Sequence, residues 1–146
     1  MIDVITYCEH GKGAVSAVRL DLESHSYLMD HSISGVPYLP GVMALEMMAE
    51  TVQSCITSGN RISSFEDVDF GLPVKLTKSH KEIRCIVEAI EGDWAEAYSC
   101  RIVSEAPGGM AEPSVHHTAI IALTSKNPKE KIDDLITTDE DGSRIL

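Results

Sequence analysis

Asp30-His-Ser-Ile-Ser-Gly-Val-Pro-Tyr-Leu-Pro-Gly-Val-Met-Ala-Leu-Glu46 is the stretch on which the reading of this chain turns. Its first half carries Gly35, Pro37 and Pro40, which predict loop with at most a little helix. After Pro40-Gly41 the pattern changes. Val42, Leu45, Met48, Ala49, Val52 and Ile56 recur at three- and four-residue spacing, which predicts a helix stopped by Ser58-Gly59-Asn60. Met43, Ala44 and Met47 are apolar as well, so the helix reads as buried around most of its circumference. Glu46, Glu50 and Gln53 are the exceptions and share one stripe. Pro40 and Gly41 fit a sharp helix start, where unpaired backbone N–H groups can bind a developing negative oxygen. The loop before it holds His31, and an imidazole titrates near neutral pH. Such a group can take a proton from the carbon next to a thioester carbonyl, while a carboxylic acid can protonate a leaving hydroxyl.

On the N-terminal side, Ala14 to Leu22 alternates, with Val18, Leu20 and Leu22 on one face and Arg19 and Asp21 on the other, as a half-buried strand should. His10-Gly-Lys-Gly13 reads as the turn joining it to a short first strand near Ile2 to Tyr7. On the C-terminal side, Ile62 to Phe70, Leu72 to Leu76, Glu82 to Ile90, Trp94 to Val103 and Val115 to Leu123 are rich in β-branched and aromatic residues. Ser79-His80, Glu91-Gly-Asp93 and Ala106-Pro-Gly-Gly109 separate them. Ala119-Ile-Ile-Ala-Leu123 is apolar on both faces and is expected to lie centrally in a sheet. One buried helix with five or six mostly antiparallel strands predicts an α+β domain whose single curved sheet wraps the helix. That domain is expected over residues 1–125. Residues 126–146 are charged and without periodicity, and are expected to form a tail or linker.

The whole chain has 146 residues, the size of one domain with a real core. It carries 23 acidic and 12 basic side chains, for a formal net charge of −11, which opposes nucleic-acid binding through neutralised phosphates. With one Trp, four Tyr and two Phe, base stacking is equally poorly served. No stretch approaches a membrane span, and the first residues lack the basic and apolar regions of a secretory signal. Cys8, Cys55, Cys85 and Cys100 are far apart, with no Cys-x-x-Cys pair, so four buried reduced thiols in a cytoplasmic protein are expected. No metal site is expected.

The spacing His-x-x-x-Gly-x-x-x-x-Pro-Gly, with Leu-Glu on the following helix, resembles the motif of polyketide synthase dehydratase domains, which are hotdog folds. It is also similar to the single-hotdog 3-hydroxyacyl-carrier-protein dehydratases of fatty-acid synthesis, which have one residue fewer between His and Gly. The likeness extends more loosely to Ser64-Phe-Glu-Asp-Val-Asp-Phe-Gly-Leu-Pro-Val74 and to the strand around His117, and so spans about residues 14 to 125. It implies a single hotdog that eliminates water from 3-hydroxyacyl thioesters. His31 would be the base, Gly41 the backbone donor and Glu46 the acid, with Gly35, Pro40 and Glu50 lining the substrate. No cofactor is implied beyond the phosphopantetheine arm of the acyl carrier protein or CoA that bears the acyl group. In polyketide dehydratases the acid is an Asp from a second hotdog. In the homodimeric relatives, the His of one subunit faces the acid of the other. At this length the chain has room for one hotdog, so a second copy of the chain is expected to supply the other half of the site. Glu50 departs from the stand-alone enzymes, which carry Gln there, and two carboxylates at i and i+4 should favour protonation of one.

Other readings remain open on the residues themselves. His31 alone fits a capping or solvated role, and Glu46 alone a buried carboxylate held by a backbone N–H. His116 and His117 should point to opposite faces of a strand, which suits structural roles. His25 is not spaced from His31 as a metal pair. Lys75, Lys78, Lys81 and Arg84 form a basic cluster suited to a solvated edge, to the phosphates of CoA or to an acidic carrier. The chain also suits a non-catalytic acyl-binding or scaffold hotdog, half of a heterodimeric dehydratase or, less well, a hotdog thioesterase.

Overall fold

The computed structural model describes residues 1–56, 59–91 and 97–124, together with the backbone of 137–138 and 144–145. Strands β1 (Val4–Glu9) and β2 (Gly13–Asp21) form a hairpin whose turn includes Gly11 at φ 74°. A 3₁₀ turn (Ser26–His31) and the two-residue strands β3 (Ser32–Ile33) and β4 (Val36–Pro37) lead to helix α1 (Gly41–Cys55). Strands β5 (Arg61–Asp69), β6 (His80–Ile90), β7 (Ala97–Ser104) and β8 (Ser114–Thr124) complete one sheet of order β1-β2-β6-β7-β8-β5, antiparallel throughout. The helix lies against β1, β2, β6, β7 and β8, so the sheet wraps it in the hotdog arrangement. Short strands β9 (Thr137–Thr138) and β10 (Arg144–Ile145) pair with each other. Most of the expected tail, 126–146, and residues 92–96 at the start of the expected Trp94 strand lie outside the described residues.

Alternation decides which face packs. On β6, Ile83, Cys85 and Val87 are buried, and on β2 so are Ala14, Val18 and Leu20. From α1 they meet Ala44, Met47, Met48, Val52 and Cys55. Thr51 is the polar member of this helix face. Its hydroxyl donates to the Met47 carbonyl at 2.7 Å, so at the 2.6 Å contact Ser16 is the donor, and β2 is pinned to α1 without an unpaired hydroxyl.

Several expectations need correction. The helix is less buried than expected: besides the excepted Glu46 and Gln53, Val42 is 69% exposed, because the sheet covers one side only. Leu72 to Leu76 is not a sheet strand. Pro73 interrupts it, and it pairs with the chain leading to α1 through Leu39 N–H to the Val74 carbonyl (3.0 Å) and Leu76 N–H to the Pro37 carbonyl (2.9 Å). Cys8 is exposed on edge strand β1, unlike the other three thiols. β8 is internal but lies next to the edge, with Ala119, Ile121 and Leu123 buried and Ile120 and Ala122 half-buried. At the outer edge, among the described residues, β5 pairs only with β8 and is exposed along most of its length.

Candidate active site

The segment 30–46 folds as a compact approach to α1. His31 ends the 3₁₀ turn with its side chain exposed, and its carbonyl accepts the Tyr38 N–H at 3.0 Å, which places His31 beside the last residues before the helix. Between them, Ser34 (φ 51°) and Gly35 (φ 75°) form the tip of the β3–β4 hairpin. Both central residues have positive φ, so Gly35 serves the turn, and nothing lies within 4 Å of where its Cβ would be. Pro40 precedes α1 at φ −60°, ψ 140°, and its carbonyl accepts both the Met43 and Ala44 amides. No side chain caps the helix. Among the described residues the Gly41 and Val42 amides donate to no backbone partner, so two N–H groups stand open at the positive end of the helix dipole.

Glu46 faces elsewhere. With His25, Tyr27, Val42, Met43 and Glu50 it lines a cleft of about 510 Å³ between α1 and the 3₁₀ turn, and His31 is not among the lining residues. Glu50 accepts from the Met1 amine (2.6 Å) and the Ile2 amide (2.9 Å). Burial pushes its carboxyl up, but these two donors outweigh it and hold the group below the ordinary carboxylate range. Glu50 is therefore not the proton-retaining member of a repelling pair. His25 and Tyr27 are cleft residues that sequence reasoning did not assign. Their rings meet edge to face at 6.0 Å, and the buried Tyr27 hydroxyl has no partner among the described residues. Burial raises its pKa.

His116 and His117 do not take opposite faces. The β7–β8 register places Ile102 opposite His117 but Val103 opposite Val115, which makes His116 the extra residue of a bulge. Both rings are consequently buried, with centroids 6.3 Å apart. Nδ1 of His116 donates to the Leu72 carbonyl (3.0 Å), which fixes the tautomer, and Nε2 accepts from the Ser104 hydroxyl (2.7 Å). Neither nitrogen of His117 has a partner among the described residues, and its ring meets Phe70 edge-on at 5.5 Å. Burial lowers the pKa of both imidazoles.

The basic cluster divides. Lys75 and Lys78 are exposed, with the Lys75 ammonium 5.7 Å from the Tyr38 ring centroid. Lys81 shares the inward parity of Ile83 and is half-buried, which lowers its pKa. Arg84 has the opposite parity and pairs with Glu105 on the outer face. Among the described residues no group of three His, Cys, Asp or Glu side chains could hold a metal ion, and no helix is long and apolar enough to cross a membrane.

Residues 6–105 match the family model described as polyketide synthase dehydratase domain. The chain belongs to that family. In structure it is similar to the dehydratase domain from the CurF module of curacin polyketide synthase (TM-score 0.66, 20% identity), covering 87% of this chain and 46% of that one. The dehydratase domain from the CurK module gives TM-score 0.64 at 19% identity, with 87% of this chain and 44% of that chain covered. A trans-AT polyketide synthase dehydratase domain from Brevibacillus brevis gives 0.66 at 18%, with 87% and 46% covered. The chain thus spans less than half the length of these structures, and at such identity they show the hotdog fold alone. Among proteins of curated function, none matches the chain.

Proposed function

We propose that this chain is the histidine-bearing hotdog of a 3-hydroxyacyl-thioester dehydratase, and that two copies assemble to complete its sites. The observation that carries this reading is the separation of the site's parts within one chain. His31 stands beside an uncapped helix start with two open amides, while the cleft that Glu46 lines with Val42 and Met43 does not include His31. The surroundings of His31 support a partner. Met29 (55% exposed), Ile33 (61%), Val42 (69%) and Phe70 (49%) are large apolar side chains in the segments flanking it and around the helix start. The open edge of β5 adds backbone groups that a second sheet can pair with. The relatives support it too, since each holds as much chain again as the part this one matches.

In the reaction, His31 takes the C2 proton of the 3-hydroxyacyl thioester, and the thioester oxygen, gaining charge, rests against the Gly41 amide. The electron pair of the broken C2–H bond forms the C2–C3 double bond as the C3–O bond breaks. Glu46 of the second copy protonates the departing hydroxyl, which leaves as water. The acyl group would be carried on phosphopantetheine, of a carrier protein or of CoA, docked by the exposed Lys75, which lies against the Tyr38 ring, and by the exposed Lys78 three residues on. The net charge of −11 opposes an acidic carrier, so such docking depends on these local cations.

The purified protein is expected to hydrate a 2-enoyl pantetheine thioester, and His31→Ala to abolish that activity. Equal rates for the two proteins would end the His31 mechanism. The short match to the relatives also favours a second reading, in which the acid comes from a different chain. Activity that appears only when such a chain is added would select it.

A further inference from the structure

We infer that Phe70 is a positioning residue for the Gly41 amide, a role that rests on the dehydratase reading. The observation is a close approach at the first residue of α1. A Cβ built on Gly41 would lie 2.7, 2.9 and 3.0 Å from Cε1, Cζ and Cδ1 of Phe70, so the helix backbone sits directly on the ring. Contact that close opposes movement of the helix start toward Phe70, and a side chain at residue 41 would have to push the ring aside.

A bumper of this kind works only if it is itself held, and Phe70 is held on two sides. Its ring abuts the buried His117 imidazole at 5.5 Å, with planes at 81°. Two residues on, Leu72 is clamped to the β8 bulge, its N–H donating to the His116 carbonyl (2.9 Å) and its carbonyl accepting from His116 Nδ1 (3.0 Å). Farther along, the same segment holds the other side of the helix approach through Leu39 and Leu76. Residues 70–76 therefore form one brace under residues 37–41, with Phe70 as its contact at the reacting end. Phe70 is 49% exposed, so its ring contributes little to the core and its removal leaves the fold standing. What its removal frees is the position of the amide relative to a bound thioester, and small misplacements at reacting atoms cost large factors in rate.

The test is a double-mutant cycle on wild type, Gly41→Ala, Phe70→Ala and the pair, assayed with a 2-enoyl pantetheine thioester and checked for folding by circular dichroism and for unchanged oligomeric state by light scattering. Phe70→Ala should lower kcat by about tenfold or more with KM within about twofold, as expected for an interaction used in the transition state. Gly41→Ala should lose about a hundredfold. The double variant should recover at least about tenfold over Gly41→Ala, because the methyl now has room. Phe70→Leu, which keeps some bulk, should fall between wild type and Phe70→Ala. Independent losses that multiply in the double variant, or a Phe70→Ala effect confined to KM, would overturn the positioning role. Wild-type protein that turns over no thioester beside an active control would instead overturn the dehydratase reading beneath it.

Discussion

Replacing His117 with leucine should make the protein more stable, whereas the same change one residue earlier should do the opposite. Both imidazoles are 4% exposed, but their nitrogens differ in what they meet. His117 buries a donor and an acceptor with no partner among the described residues, and leaving such groups unmade costs about 1–3 kcal/mol each. Leucine removes both, at the expense of the edge contact with Phe70, worth about 0.5–1.5 kcal/mol. The net gain is expected to be about 0.5–5.5 kcal/mol. In His116→Leu the Ser104 hydroxyl and the Leu72 carbonyl lose their partners, for a loss of about 2–6 kcal/mol. Urea unfolding near pH 7.5 measures both changes. The pH dependence gives a second reading. Burial lowers the pKa of both histidines, with the neighbouring imidazole adding to the effect at His117 and Lys81 at His116. The unfolded chain therefore binds protons more readily. Their contribution to stability is complete above the ordinary histidine value of about 6.5 and is lost as pH falls through the lowered folded values. His117→Leu should make that acid-side loss shallower. If it destabilises as much as His116→Leu and leaves the acid limb unchanged, the His117 nitrogens are satisfied in solution and the reasoning fails.

Three further outcomes follow from the geometry. In the native protein one thiol per chain, Cys8, should react readily with a chromogenic disulfide. Cys55, Cys85 and Cys100 are buried, with the Cys85 thiol pushed up to about 12 and Cys100 also raised, so four should react only in denaturant. Reversing charge at Lys75 and Lys78 should raise KM about fivefold or more for a carrier-bound substrate and not for its pantetheine analogue. Arg84→Ala should change neither, because that guanidinium pairs with Glu105 on the outer face. Finally, Val42→Asp places a charge on a side chain 69% exposed at the helix start. Size-exclusion light scattering should show a folded monomer without dehydratase activity, and an active dimer would show that this surface is not the interface.

The fold was legible because its signals are periodic. Residues 42–56 repeat as a helix, and strands such as Gly13–Asp21 and His80–Ile90 alternate, so element types and the α+β class follow from side-chain spacing. What defeated the reading was context that spacing does not carry. Residues 72–76 have strand-like composition, but Pro73 and the docking of 37–39 keep them out of the sheet. A single inserted residue at His116 cancelled the expected alternation of the two histidines. The helix looked buried around most of its circumference because composition cannot show that the sheet covers one side only. In the site, the string from His31 to Gly41 located a helix start with free amides, whereas Glu46 and Glu50 were treated as one pair. The hydrogen bonds of Glu50 to Met1 and Ile2, and the presence of His25 and Tyr27 in the Glu46 cleft, depend on contacts between distant segments. The brace at Phe70 depends on such a contact too, with Gly41 as its faint trace in the sequence.

Division of the site between two copies is open to complementation. His31→Ala and Glu46→Gln proteins should each be inactive alone. When they are mixed in equal amounts and allowed to exchange subunits, half the dimers are mixed, and each has one intact site. Activity should then return to about a quarter of the wild-type value, as two-fold symmetry with sites shared across the interface requires. If the mixture stays inactive although mixed dimers are shown to form, His31 and Glu46 do not work together across two copies of this chain.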